Sequence, residues 1–318
     1  MRKIPKIVKE IQNYVPKAIN YAMEKNISFS QLSMYDGCAH RWALQYRDGH
    51  KIYTPSMHAV FGKALHDALQ HYLTVMYKES AAAADREDIL TFFKSKLKEH
   101  YLSDYEKNKS IHFFKDGELQ EFYQDGENII NYFKKHKGKT FSKKGTFLVG
   151  CEIPIIVKPN RMFSKIKFQG YLDVVMYNET LNKFTIYDIK TSTNGWGKWA
   201  LSNKNAIKHY QLVLYKKFFA EQFGIPENNI DIEFFIVRRK VYEDGDFPQK
   251  RIQKFTPANG KTTISRATKV LNDFIKDAFI GNEYNQKPHK PSLANPNNCR
   301  FCPYERTDLC PGTKNRTL

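Results

Sequence analysis

The sequence predicts an α/β fold, and three stretches predict it. Residues 169–190 read as two strands around a short polar turn. Gln169 to Tyr177 and Lys183 to Lys190 are rich in β-branched and aromatic residues, and Asn178 to Asn182 supplies the break. Residues 58–78 carry the strongest helical pattern, with Val60, Ala64, Leu65, Ala68, Leu69 and Tyr72 on one stripe. Residues 206–223 return to helical spacing, and after Gly224 and Pro226 a further strand runs from Ile230 to Val237.

The totals bound the rest. A chain of 318 residues with 41% hydrophobic content, 23 Phe and 19 Tyr has the means to build a sizeable core. The balance of 51 Lys and Arg against 33 Asp and Glu leaves a net charge of +18. That excess points to a phosphate backbone as partner, held by counterion release; a lysine-rich composition without such a role is the competing explanation. No apolar run is long enough to span a bilayer and no charged-then-apolar leader is evident, so the expected location is the cytoplasm with no membrane partner. Three segments are expected: residues 1–57, helical and carrying the first cysteine of interest; 58–240, the main body, with a helical insertion at about 80–145; and 241–318, a last helix followed by cysteines.

Taken in order, residues 1–26 are basic and helix-compatible, punctuated by Pro5 and Pro16. Ser28 or Ser30 can cap a short helix that ends near Gly37 and delivers Cys38. Arg41, Trp42 and Tyr46 continue at helical spacing. In the 58–78 helix Gly62 and His66 are four apart and share a face, and Gly62 permits close backbone approach there. A lone helical histidine is more often a packed or surface residue than a ligand. The insertion ends in Lys134–Lys144, which contains six lysines; it lines a nucleic-acid path or is simply a solvated face. Phe147–Val157 reads as a strand whose one charge, Glu152, is a third acidic group of the site or a solvent-facing residue, with Cys151 as an apolar filler. Thr191–Asn205 reads as a loop in which Trp196 and Trp199 stack bases or anchor the chain. Gln211 and Tyr215 share one face of the 206–223 helix. Gly260-Lys261-Thr262 looks like the tail of a phosphate-binding loop, but Phe255 stands where its first glycine belongs, which excludes that site. A last helix spans about Thr263–Phe279.

The chemistry concentrates on the paired strands. Side chains alternate along a strand, so Asp188 and Lys190 point the same way, about 7 Å apart. Asp173 on the neighbouring strand can reach that face. Two carboxylates beside a lysine suit a hard divalent cation and an attacking water. Taken alone, Asp-x-Lys on a strand more often describes a solvated face with a weak cross-strand ion pair. Five cysteines are present, three of them as Cys299-x2-Cys302-x7-Cys310; in a reducing compartment such a cluster favours metal over disulfides.

Four local features now stand in a definite order: Phe61-Gly62-x3-His66, Gly170-Tyr171-Leu172-Asp173, Asp188-Ile189-Lys190-Thr191 and Gln211-x3-Tyr215. Together they resemble the PD-(D/E)XK nuclease superfamily, and most closely its RecB-like branch of exonuclease V-type enzymes, AddB nuclease domains and CRISPR-adaptation nucleases. The resemblance covers roughly residues 27–70 and 147–240, plus the cysteines. It implies a restriction-endonuclease-like αβββαβ core with a mixed sheet, a helical insertion, and an iron–sulfur clamp joining the N- and C-terminal segments. It implies His66, Asp173 and Asp188 as ligands of Mg²⁺ or Mn²⁺ with help from the Ile189 carbonyl, Lys190 as the group that orients water and offsets phosphate charge, and Gln211 and Tyr215 as contacts to the strand being cut. The variable acidic position of the family motif is Asp188 here.

One cysteine before the core and three after it match the iron–sulfur members, which implies a [4Fe–4S] cluster on Cys38, Cys299, Cys302 and Cys310, with Zn²⁺ as the alternative occupant. The seven-residue gap before Cys310 is longer than that pattern implies. The activity implied is metal-dependent DNA exonuclease on single strands or DNA ends, in replication, recombination or repair. No helicase motor is visible, so unwinding would come from a helicase or recombination partner. The rival reading is a catalytically silent DNA-binding scaffold within such a complex.

Overall fold

A computed structural model of the chain describes residues 3–202, 206–242, 249–293, 296–310 and 312. In chain order its elements are α1 (Lys6–Gln12), β1 (Lys25–Ile27), α2 (Phe29–Gly37), α3 (Ala39–Trp42), α4 (Met57–Lys78), α5 (Ala81–Arg86), α6 (Ile89–Lys107), α7 (Glu118–His136), β2 (Thr146–Val157), β3 (Ile166–Asn178), β4 (Lys183–Ser192), α8 (Lys198–Leu201), α9 (Ala206–Phe223), β5 (Ile230–Arg238), β6 (Ile252–Phe255), α10 (Lys261–Ala278), β7 (Phe279–Ile280), β8 (Glu283–Tyr284) and α11 (Pro296–Cys299). The chain divides into two compact units: Met1–Pro16, Pro55–Ile155 and Tyr171–Asn259 form the first, and Lys17–Thr54, Ile156–Gly170 and Gly260–Leu318 form the second.

The first unit is a mixed α/β assembly around a mixed sheet. β3 and β4 pair antiparallel from Val174↔Tyr187 to Asn178↔Lys183, as a short polar turn requires. Asn178 shapes that turn, its side chain accepting the Leu181 N–H at 2.9 Å, and Asn182 takes a positive φ of 49°. β4 and β5 pair parallel, from Phe184↔Ile230 to Ser192↔Arg238, with α9 as the crossover. β6 adds antiparallel to β5 and β2 pairs with β3.

Alternation along the strands sorts the residues between two faces. Val174, Met176, Tyr187, Ile189, Phe235 and Val237 join one core with the apolar stripe of α4 and with α6 and α7. Phe184, Ile186, Asp188 and Lys190 point to the other face, where Phe184 meets Phe219 of α9 at 5.6 Å between ring centroids. Asp173 falls on that second face too, since it alternates with Val174.

In the second unit β1 pairs parallel with the start of β3, Lys25↔Ile166 to Ile27↔Phe168. Ser28 caps α2 as expected, its hydroxyl accepting the Gln31 N–H at 3.3 Å, and the helix ends at Gly37 beside Cys38. Trp42 is fully buried among Tyr35, Phe274, Phe279 and Tyr284.

Four features differ from, or sharpen, the expectations. The insertion comprises α5, α6 and α7. The stretch expected as a loop over Thr191–Asn205 contains the one-turn helix α8, and residues 203–205 lie outside the described residues. β1 and β6 were not legible, being three and four residues long with no apolar alternation. β2 is bulged: Glu152 has a φ of +52°, and a Cβ on Gly150 would sit 3.1 Å from Ile153 Cγ1, so residues three apart share a face.

Gly62 sets the distance between α4 and β4. A Cβ there would lie 3.1 Å from Thr191 Oγ1. Gly62→Val should lower the urea midpoint, because overpacking costs about 1–3 kcal/mol and exceeds the roughly 0.5 kcal/mol of helix propensity gained by replacing glycine. Adding Thr191→Ala should recover part of the loss. An unchanged midpoint for the single variant would refute this role for Gly62.

Candidate active site

The close approach at Gly62 carries one turn of α4 to the end of β4, and His66 arrives there. The register of β3 and β4 makes Asp173 and Asp188 the next opposing residues beyond Val174↔Tyr187. The Ile189 N–H donates to Asp173 Oδ2 at 2.7 Å. His66 Nδ1 stands 3.7 Å from that same oxygen, and the Ile189 carbonyl accepts from the imidazole. Lys190 turns back along its strand to put Nζ 2.7 Å from Asp188 Oδ2. These contacts bring His66, Asp173, Asp188, Ile189 and Lys190 side by side within the first unit.

Asp188 is 2% exposed, and its Oδ2 is buried with no hydrogen bond of good geometry, the Lys190 contact being an ion pair. Such an acceptor is a natural seat for a cation. Burial, the neighbouring Asp188 charge and Glu152 push the Asp173 carboxyl well above its usual range, against the opposing effects of Lys190 and the Ile189 N–H. For His66 burial lowers the pKa and Lys190 adds to it, outweighing Asp188 and Ile189, so the ring is neutral at pH 7. Burial acts to lower the Lys190 pKa, but Asp188 and Asp173 together raise it, and the amine is an ammonium. Among the described residues no three His, Cys, Asp or Glu side chains converge into a ready-made cage for an ion.

Gln211 and Tyr215, one turn apart on α9, hydrogen-bond each other, and Tyr215 is buried. Burial foremost raises the Tyr215 pKa, and the charges of Asp188, Asp173 and Glu152 add to it, which places the phenol within electrostatic reach of the acidic group.

The four cysteines of interest lie together in the second unit. Cys38, Cys299, Cys302 and Cys310 line one small cavity with His40, Arg41 and Tyr304. Cys38 Sγ accepts the Arg41 and Ser292 N–H groups at 3.5 Å each. Burial raises the Cys299 pKa, and Glu305, Cys302, Cys310 and Cys38 add to the rise.

The model of the PD-(D/E)XK nuclease superfamily matches residues 26–311. The chain belongs to the PD-(D/E)XK nuclease superfamily. Among solved structures it is similar to the crystal structure of a candidate exonuclease from Eubacterium rectale, at 12% identity and a TM-score of 0.44, over 83% of this chain and 89% of that chain. No curated protein matches the sequence. No helix among the described residues is long and apolar enough to cross a membrane.

Two residues beside this group of side chains were not assigned from sequence. Gln70 is buried on α4 and donates to Glu152 Oε1 at 2.7 Å and to the Asp173 carbonyl at 3.0 Å. Its signal was present: Gly62, His66 and Gln70 follow at successive intervals of four on one helix face. Glu152, left open between site and solvent, is exposed yet faces the pocket through this bond. Cys151 is half-buried, and burial pushes its thiol up to about 12, consistent with an inert filler.

The raised Asp173 pKa has a definite pH signature. The metal-free fold favours the protonated acid, so its stability should fall as pH rises from the ordinary carboxyl range through the raised value. Asp173→Asn keeps an acceptor for the Ile189 N–H and removes the repulsion. It should raise Tm in EDTA at neutral pH, by about 2–4 °C for each kcal/mol relieved, and flatten the pH dependence. A lower Tm with an unchanged pH profile would contradict the electrostatic account.

Proposed function

We propose that this superfamily member is a divalent-cation-dependent DNA nuclease of the RecB-like branch, acting as an exonuclease on single strands or DNA ends. The observation that carries the reading is the chain of contacts from the neutral His66 ring to Asp173, from Asp173 to the Ile189 N–H, and from Asp188 to the Lys190 ammonium, which a bound cation would draw into a closed ligand set. The buried, poorly satisfied Asp188 Oδ2 and the repulsion felt by Asp173 both fit a cation that would satisfy one and relieve the other. A bound Mg²⁺ or Mn²⁺ would supply a water of lowered pKa and a counter-charge for the phosphoryl oxygens.

The residues have distinct parts. Asp173 and Asp188 supply carboxylate oxygens and His66 a neutral ring nitrogen, all suited to that cation. The Ile189 N–H fixes the rotamer of Asp173. Lys190, protonated in the resting site, offsets phosphate charge and orients the attacking water. Its proton is held by the same two carboxylates, so neutralising them loosens it. The Gln211–Tyr215 pair contacts the strand beside the scissile phosphate. The positive surface holds the DNA backbone without base readout.

The same reading gives the second unit a [4Fe–4S] cluster on Cys38, Cys299, Cys302 and Cys310. The shared cavity and the two N–H donors on Cys38 support thiolate ligands there. Its part would be to tie residues near Cys38 to the C-terminal cysteines, in an enzyme working with a helicase or recombination partner.

Asp188→Ala and Lys190→Ala should each reduce cleavage of labelled single-stranded DNA by about a thousandfold or more, while DNA affinity measured in EDTA changes only a few-fold. Parental cleavage by either variant would overturn the assignment, and wild-type protein silent in both Mg²⁺ and Mn²⁺ would favour a scaffold.

Anaerobically purified protein should show a broad absorbance near about 400 nm with iron and sulfide in stoichiometric amount, lost on Cys38→Ala. A colourless protein carrying one zinc would place Zn²⁺ on the same thiolates.

A further inference from the structure

The chain has three tryptophans, and two of them are committed to packing: Trp42 is fully buried and Trp196 is 9% exposed. Trp199 is 68% exposed on α8. A large aromatic left in water loses the stabilisation that burying it would bring. The backbone beneath it is held on several sides. The Trp199 carbonyl accepts the Ser202 N–H at 3.2 Å and its hydroxyl at 2.8 Å. The Leu201 N–H donates to Gly197 O at 3.2 Å, and His209 Nε2 bonds Ala200 O at 2.9 Å.

Those tethers also locate the ring in the chain. α8 lies between Lys190 on β4 and Gln211 on α9, within ten residues of the former, and His209 ties it to the first turn of α9. The preceding loop is anchored by Trp196, whose N–H donates to Gln253 Oε1 at 2.8 Å and whose carbonyl accepts from Gln253 Nε2 at 2.9 Å. Lys208 Nζ sits 3.7 Å over the centroid of the Trp196 ring. Lys208 feels Lys190, whose charge adds to burial in lowering its pKa. Lys198, beside Trp199, is exposed. On the other side of the acidic pair Tyr171, 47% exposed, alternates onto the same face of β3 as Asp173.

We infer that Trp199 is the stacking platform for an unpaired base of a single-stranded substrate, with Lys198 and Lys208 as counter-charges for its backbone. Stacking on an aromatic face needs no sequence and is closed to a base that stays paired and stacked in a duplex. The inference rests on the nuclease reading for its substrate and deepens it by selecting single strands.

Oligothymidylate titrated into the full chain in EDTA tests it, with binding followed by anisotropy of a labelled strand and by intrinsic fluorescence. Wild-type emission should be quenched by the single strand and not by a duplex of the same length. Trp199→Ala should lose most of the quench and bind about tenfold more weakly, and Trp199→Phe, which keeps a ring, should restore most of the affinity. Circular dichroism of each variant checks that the fold persists. Equal affinity of Trp199→Ala and wild type, or equal quenching by duplex, would overturn the inference. Cleavage in Mn²⁺ is read separately. A wild type that quenches but never cleaves would remove the nuclease reading and leave the platform; one that cleaves while Trp199→Ala binds normally would do the reverse.

Discussion

Everything in the pocket depends on a backbone hydrogen bond, Ile189 N–H to Asp173 Oδ2 at 2.7 Å. It joins β3 and β4 at the point where their regular ladder stops and Asp173 and Asp188 begin to face each other. Two buried acids at that spacing repel, and the sheet would relax by turning one of them out. The N–H prevents this for Asp173 by giving one oxygen a fixed donor. Lys190 holds Asp188 by charge alone, as an ion pair at 2.7 Å. The resting site is thus a held conflict, eased in part by the raised pKa of the Asp173 carboxyl and by the positive charge of Lys190.

Helix α4 completes the arrangement by backbone proximity. The missing side chain at Gly62 lets the helix approach Thr191, and the next two turns then deliver His66 to Asp173 and Gln70 to Glu152. The bulge in β2 is needed for the last contact. A regular strand would carry Glu152 to the face set by alternation, whereas φ +52° redirects it towards Gln70. A glutamate kept in that backbone region costs on the order of 1 kcal/mol or more, and the 2.7 Å bond from Gln70 offsets part of it.

Much of this was legible before any coordinates. The β3–β4 pair, α4, α9 and β5 announce themselves through periodicity, and the motif residues sit where their spacing demands. What escaped is non-local or too short to carry a pattern. β1 is held by a pairing partner far along the chain, and β6, at the sheet edge beside β5, is too short to show alternation. The bulge at Glu152 has no residue signature, since glutamate is not chosen for positive φ. Net charge misleads in a further way. Arg239 and Lys240, which both count towards the net positive charge, are paired with Glu121 and Asp125 of α7, and Arg239 also lies over the Phe122 ring at 4.1 Å. Those two charges fasten the insertion to the end of β5 instead of facing a phosphate.

The insertion therefore has a defined mechanical part. Asp125 and Arg239 are both buried, and each has a second ion-pair partner, Lys240 for Asp125 and Glu121 for Arg239, so the four charges act as one network. Gly126 packs directly under Phe93 of α6, so α6 and α7 approach each other closely at that level. α6 and α7 in turn share the apolar stripe of α4 that carries His66 and Gln70. The position of the imidazole relative to Asp173 is then set from two directions, by Gly62 against the sheet and by the insertion against the back of the helix. A pocket built on opposed charges needs such bracing, because no single one of its contacts is strong enough to hold the repelling groups together.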